Sequence, residues 1–244
     1  MIDRDEKKRL EKIAANSIYS KGISINVIQY ACQIFMRYMK QGSILELGPA
    51  EGAMTDMLYP FYPEDYTVVD GSSLFINELK IRYPKINAVE SIFEDFDPKL
   101  IPAIPSQYDN IILGHVLEHV IDPVAILSLC KTWLKEDGVI LSAVPNKNSI
   151  HRQVGVAMGL LSKLDDFSDK DKQHGHRRVF GLDAFHEIFN KAGLRIVEKG
   201  GYWLKPLSDA QIESQWTDSM IDAFFRIGEL YPDIAGDIYA VATK

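Results

Sequence analysis

Ser43-Ile-Leu-Glu-Leu-Gly-Pro-Ala-Glu-Gly-Ala53 decides the fold. Ile44, Leu45 and Leu47 make a short apolar run suited to a buried strand. Gly48, Pro49, Ala50 and Gly52 make a tight turn, and a helix is expected from about Ala53. Small residues where a strand hands over to a helix let a ligand approach the backbone, and the helix N-terminus offers unpaired N–H groups. The turn fails both phosphate patterns. No Lys follows Gly52, as G-x-x-x-x-G-K-[ST] requires, and G-x-G-x-x-G would need Gly at Ala50 and Ala53. What stands is Glu46-x-Gly48-x-Ala50-x-Gly52. A carboxylate there repels a pyrophosphate and suits a cation such as an ammonium. The competing reading is a plain strand-to-helix turn with incidental glycines.

Around this turn the chain alternates short apolar strands with helices. TVVD ends a strand at Asp70, a helix covers about Leu74 to Arg82, and INAVES and DNIILG (to Gly114) are strands. Asp122-Pro123 reads as an N-cap with Pro at the first helical position, opening a helix through Trp133 and Leu134 that Gly138 stops. Val139 to Val144 is the next strand, followed after an interruption by a helix Leu182 to Ala192, the strand LRIVEKGGYWLKP, a helix from Asp209 to Leu230 and a last strand DIYAVAT. Such alternation indicates a parallel sheet covered on both faces. Two helices precede it, a charged one over Asp3 to Asn16 and an amphipathic one over Ser24 to Lys40 with Val27, Ile28, Ala31, Ile34, Phe35 and Tyr38 on its core stripe. The interruption, Pro145 to Gly181, is polar, with one short helix expected around Val154 to Leu164; a long loop of this kind reads as a lid or binding loop.

Composition narrows the function classes. The 244 residues suit a single domain, with residues 1–42 as a helical cap and 145–181 as the lid. A net charge of -7 argues against a nucleic-acid surface, which needs clustered Lys and Arg. Cys32 and Cys130 lie in apolar helical contexts and read as buried free thiols of a reducing compartment. The charged N-terminus resembles no signal peptide and no apolar run is long enough to span a bilayer, so a cytoplasmic protein without membrane association is expected.

Asp70, about 20 residues beyond the turn, stands where doubly wound folds place the acid that holds a ribose diol; the alternative is a helix-capping Asp in DGSSL. Glu46, the small-residue turn and Asp70 together specify a nucleoside that carries a positive charge and no phosphate.

From Ile44 to Val144, through ILELGPAEG, VVDGS, SIFEDFD, YDNIILGHVLEHVIDP, LKEDG and VILSAVPN, the chain resembles the class I S-adenosylmethionine-dependent methyltransferases. The resemblance implies a Rossmann-like, doubly wound α/β sheet, mostly parallel with an antiparallel last strand and helices on both faces. It implies S-adenosylmethionine as cofactor and S-adenosylhomocysteine as product. By resemblance Glu46 and the turn Gly48, Ala50, Gly52 would hold the methionine end, Asp70 with Gly71 and Ser72 the ribose, Phe93 and Glu94 the adenine, and Gly114 with His115 would lie beside the sulfonium. Tyr19, in the joint between the first two helices, joins the cofactor set. Ala50 replaces the family's middle glycine, which is tolerated if its φ is negative, and Ile92 stands where many members carry an adenine-binding Asp. A similar PN-x-x-SIHR and GHRR layout occurs in methyltransferases of natural-product and surface-sugar pathways.

His115-Val-Leu-Glu118-His119 also matches H-x-x-E-H, a zinc-peptidase pattern when it lies on a helix. His115 comes directly off a strand and Asp122 opens a new helix, so there is little room for such a helix, and in the resembled family this stretch binds no metal. No metal is expected, and His119 reads as a buried histidine bonding nearby backbone.

The acceptor should lie where the lid meets the sheet edge. His151, Arg152, His174, His176, Arg177, Arg178 and Lys205 reverse the sign of an acidic chain there, which suits an anionic acceptor, a carboxylate or phosphonate of a small metabolite or peptide. The alternative is that these cations neutralise Asp165, Asp166, Asp169 and Asp171, as Lys170 and Lys172 are taken to do. Methyl transfer from a sulfonium is an in-line displacement that asks mainly for alignment and water exclusion. If a base is needed, His176 comes first and His174 second, with Arg177 aimed inward beside them. Trp203 and Tyr202 are expected to wall the pocket or pack the core, and His186 to lie on the surface. The expected activity is O-methylation of that anionic acceptor, with a homodimer possible. Methylation of a neutral sugar-like acceptor, a non-catalytic cofactor-binding protein and a zinc hydrolase are the alternatives.

Overall fold

The computed structural model describes residues 4–15, 17 and 21–244. In chain order the elements are α1 (Arg4–Ala15), α2 (Ile23–Met36), β1 (Ile44–Leu47), α3 (Ala53–Leu58), β2 (Tyr66–Asp70), α4 (Ser73–Arg82), β3 (Asn87–Glu90), β4 (Tyr108–Gly114), α5 (Pro123–Trp133) and β5 (Leu134–Pro145). Then come α6 (Ile150–Ala157), α7 (Asp169–His174), α8 (Leu182–Lys191), β6 (Arg195–Tyr202), α9 (Asp209–Gln215), α10 (Asp218–Leu230) and β7 (Asp237–Thr243).

The strands form one sheet in the order β3-β2-β1-β4-β5-β7-β6, and β7 alone runs antiparallel to its neighbours. Strand alternation splits the apolar residues between two layers. Ile44, Val68 and Leu141 face Phe35, Leu58, Leu79 and Phe225 on one side. Leu45, Leu47 and Ile140 face Ile126, Leu127, Trp133 and Phe189 on the other. All four residues of β1 are buried, so the strand holds the centre of the molecule.

Strand order reverses between β1 and β4, which pair in parallel. In open α/β sheets the crevice at such a reversal, outside the carboxyl ends of the strands, is where ligands bind. Gly48, after β1, and Gly114, ending β4, are the two walls of that crevice.

Three of the element boundaries that differ from the sequence reading have a clear local cause. The helix expected from Asp209 to Leu230 is two, α9 and α10, because Thr217 N-caps the second by accepting from the Met220 N–H. The lid contains α6 and α7 in place of one helix at 154–164; Ser168 and Asp171 form a capping box that starts α7. Helix α5 ends at Trp133, before Leu134 and Gly138, because Leu134 is already extended and pairs with Tyr108.

Candidate active site

A cavity of about 450 Å³ occupies the crevice, a size typical of small-ligand pockets. Its lining includes Glu46, Gly48, Ala50, Asp70, Gly71, Ser72, Phe93, Glu94, Gly114 and His115, bringing together every expected cofactor residue except two. Gly52 lies one step back as the left-handed N-cap of α3, where a Cβ would meet Leu79. Tyr19 lies outside the described residues.

The turn is built on left-handed backbone: Gly48 has φ 67°, Ala50 φ 48° and Gly52 φ 84°. The condition set for Ala50 is therefore overturned. It holds a conformation that costs an L-residue about 1 kcal/mol or more, imposed by glycines on either side. A Cβ on Gly48 would come within 2.9 Å of Val116 Cγ2, so the backbone approaches the cavity wall too closely for a side chain.

Glu46 is buried, with Thr55 Oγ1 donating to its Oε2 at 2.6 Å and Tyr66 Oη at 2.7 Å. Burial pushes its carboxyl up to about 7, against the pull of those two donors. Asp70 accepts from the Ser72 N–H at 2.8 Å, and burial raises it to about 6. Two buried carboxyls, with no cationic partner among the described residues, line one cavity, an arrangement that favours a positively charged occupant.

Helix α1 roofs this cavity with Glu6, Arg9, Leu10 and Ile13. Its Glu11 accepts from Ser72 Oγ at 3.1 Å and from the N–H and Oγ of Ser73, each at 2.9 Å, at the N-terminus of α4. On the other side Arg9 donates to the Gly175 carbonyl in the lid. Gly71 and Gly175 lie against Leu10 and Ile13 of α1 respectively.

A second cavity, about 140 Å³, lies under the lid. His115, His119 and Ile28 line both cavities. The His115 backbone has φ 58°, Tyr202 Oη sits 3.1 Å from its Nε2, and Glu118 and Asp237 carboxylates lie 3.7 and 3.8 Å from its Nδ1. Burial opposes its protonation, but those two carboxylates outweigh it and the imidazole is raised. Asp237 is pushed up to about 6 by burial. Burial raises the Glu118 carboxyl, yet the imidazoles of His115, His119 and His176 near it bring it below the ordinary range. His119 and His174 are lowered to about 4, and His151 to about 3, mainly by burial.

Of the acceptor residues expected from sequence, His151, Arg152, His174, His176, Trp203 and Lys205 line this second cavity; Arg177 and Arg178 do not. One cause places both elsewhere. Residues 115–121 form no helix, so their carbonyls need donors from elsewhere. Arg178 donates to the carbonyls of Leu117 at 2.9 Å and Ile121 at 2.8 Å, and Arg177 Nε to that of His119 at 2.9 Å, while Arg177 Nη2 reaches Glu6 of α1. Arg152, buried on the cavity wall, braces the lid through Asp171 at 3.0 Å and the Leu164 carbonyl at 3.0 Å. Lys170, set aside in the sequence as a surface charge, lines the cavity and pairs with Asp209 at 2.5 Å, and Lys205 pairs with the same carboxylate. His186 is buried beside Phe185 and not on the surface. Trp203 is 1% exposed, stacks on Phe225 at 4.4 Å and leaves its Nε1–H without a partner.

Asn146 was not legible in the sequence as a structural residue. Its Nδ2 donates to the carbonyls of Asp233 at 3.1 Å and Ala235 at 2.9 Å, pinning the lid's first residues to the loop that precedes β7. The PN dipeptide after β5 was the available signal.

A family model described as "Methyltransferase domain" matches residues 25–199. The ubiquinone biosynthesis O-methyltransferase of Dinoroseobacter shibae is 32% identical over 117 residues, 47% of this chain and 43% of the relative. That of Cereibacter sphaeroides is 26% identical over 108 residues, 44% of this chain and 42% of the relative. The match thus spans under half the length of these curated relatives. Among solved structures, an S-adenosylmethionine-dependent methyltransferase from Mesorhizobium loti superposes with TM-score 0.64 at 13% identity, covering 89% of this chain and 98% of that one. The plantazolicin methyltransferase BpumL in complex with SAH superposes with TM-score 0.59 at 16% identity, covering 99% and 98%. These likenesses establish a shared fold. Among the described residues no helix is long and apolar enough to cross a membrane.

Proposed function

Because the chain belongs to the S-adenosylmethionine-dependent methyltransferase domains, we propose that it transfers the methyl group to an oxygen of a small anionic acceptor held in the cavity under the lid. The observation that carries this reading is His115, which lines both cavities and so marks the point where donor and acceptor meet.

In this reading the cofactor fills the larger cavity. Glu46 and the Gly48–Gly52 turn receive the methionine end, Asp70 the ribose diol, and Phe93 and Glu94 the adenine. The two buried carboxyls favour a sulfonium nucleoside over a phosphorylated one. The acceptor's anionic group lies against Lys170 and Lys205, two ammonium groups that share a single carboxylate, Asp209, and against the unpartnered Trp203 Nε1–H. This keeps Lys205 from the set expected in the sequence, adds Lys170, and leaves Arg177 and Arg178 out of the anion site. Methyl transfer then needs the acceptor oxygen in line with the sulfonium and water kept out, which α1 and the lid supply. The names of the curated relatives agree with oxygen as the atom methylated. A neutral, hydroxyl-rich acceptor is the second reading, favoured by Glu118 and Asp237, whose carboxylates can accept from hydroxyls on the same cavity.

The test is turnover with labelled methyl donor across matched acceptors, hydroxy acids or phenolic acids against their neutral amides. Turnover of the acids, with Lys205→Met raising the acceptor KM about tenfold or more at unchanged cofactor affinity, supports the reading. Equal turnover of the amides selects the neutral acceptor. Unchanged cofactor binding in Asp70→Ala and Gly48→Val would show that the larger cavity is not the cofactor site.

A further inference from the structure

Glu118 is 1% exposed, and neither of its carboxylate oxygens has a hydrogen-bond partner. The nearest imidazole nitrogens, of His115 and His119, stand 3.7 and 4.0 Å from Oε1, beyond hydrogen-bond range. A buried carboxylate left this way costs several kcal/mol unless a cation compensates it. No lysine or arginine pairs with it among the described residues.

The lid brings a third side chain to the same point. His176 places a ligand nitrogen so that it, one from His119 and a Glu118 oxygen all lie within 4.8 Å of one another. The two rings meet edge to face at 4.8 Å between centroids. His176 Nδ1 lies 2.9 Å from Asp171 Oδ1, and Asp171 is itself fixed by Arg152 at 3.0 Å and by the Ser168 N–H at 2.8 Å. A carboxylate behind a histidine is the arrangement that holds the proton on one ring nitrogen and presents the other to a metal.

We propose that Glu118, His119 and His176 form a two-histidine, one-carboxylate site for a first-row divalent cation of the zinc class, open toward the acceptor cavity. Two imidazoles and one carboxylate match the three protein ligands of sites that keep a coordination position vacant, and they disfavour Mg²⁺, which prefers oxygen. Zinc–ligand bonds of about 2.0–2.2 Å require the three atoms to close by about 1 Å, within reach of side-chain rotation. This differs from the H-x-x-E-H zinc pattern: residues 115–119 form no helix, and His115 is not a ligand, its Nε2 being engaged with Tyr202. The missing ligand comes from 57 positions further along the chain, in the lid, which is why the pattern alone misassigns the set. Where the reading of the acceptor cavity also holds, the vacant position faces the acceptor.

The experiment uses the full chain, stripped with a chelator and titrated with Zn²⁺ against a chromophoric competitor, with Co²⁺ absorption as a direct report on the ligand field. One equivalent bound, with Mg²⁺ unable to compete, is expected. Glu118→Gln and His176→Asn each weaken binding by about 100-fold or more, and Asp171→Asn by about 10- to 100-fold. Calorimetric S-adenosylmethionine affinity, which needs none of these residues, reports that each variant is folded; if one has lost it, the other decides. Absence of stoichiometric Zn²⁺ and Co²⁺ binding, or binding unchanged in the folded variants, overturns the site. Metal binding that persists in a protein inactive toward every acceptor counts against the acceptor reading and leaves this one standing.

Discussion

Ala50 shows what one residue's backbone demands. Its φ of 48° is forced by a turn that must expose amides to the cavity, and the lack of a side chain at Gly48 keeps Val116 clear. Ala50→Gly removes the left-handed penalty but loosens the unfolded chain, two effects of similar size and opposite sign. The expected net gain is up to about 1 kcal/mol in denaturant unfolding, with cofactor affinity within about twofold of the parent. A loss above 1 kcal/mol would mean the methyl group packs against something the turn needs. The sequence identified the turn and its ligand class because glycine spacing and an acid report directly on local geometry. It did not reveal the sign of the Ala50 φ, since an alanine alone favours negative φ and only the turn between the two glycines imposes the other hand.

Helix α1 illustrates the same limit at the level of an element. Its charged sequence predicts a helix with a thin apolar face, and nothing local says what that face covers. Only the assembled molecule shows Leu10 and Ile13 over the larger cavity and Glu11 accepting three bonds from Ser72 and Ser73. Glu11→Ala removes all three, so cofactor dissociation in stopped-flow should speed up about tenfold while the melting temperature moves by only a few degrees. Unchanged dissociation would show that the roof is held by its apolar face alone. The lid arginines Arg177 and Arg178 stand outside the second cavity for a related reason. Charge clustering along the chain says that cations gather there, but whether they meet solvent, ligand or bare carbonyls depends on what the loop after β4 leaves unsatisfied.

Over the whole molecule, the strand order and the reversal between β1 and β4 follow from alternating strands and helices, so the location of the crevice was legible before any contact was known. The electrostatic state of that crevice was not, because burial sets it. Glu46 at about 7 and Asp70 at about 6 both lie above their ordinary values. A raised carboxyl contributes stability that is complete below its ordinary pKa and is lost as pH rises through the folded value. The buried histidines His119, His151 and His174, held low, act in the opposite sense over the same interval, so the carboxyl contribution is read as a difference: between pH 5 and pH 8 the ligand-free protein should lose a few degrees of melting temperature relative to Glu46→Gln. Asp171 and Asp209, held low, act only below that window. A cationic cofactor favours the ionised forms, so its affinity should rise across the same interval with proton release near pH 6.5, seen as buffer-dependent enthalpy in calorimetry. Glu46→Gln should flatten most of that dependence; a profile that stays steep would move the effect elsewhere.

The stitching of the 115–121 loop by Arg177 and Arg178 bears on how such proteins diversify. The segment that would select the acceptor also supplies the donors that keep the donor-side loop in shape. Transplanting a foreign lid to alter selectivity would leave those carbonyls bare and disorder the methyl-donor half as well. A functional graft must leave the host's two adjacent arginines in place, so the interchangeable unit is shorter than the lid and ends at Gly175.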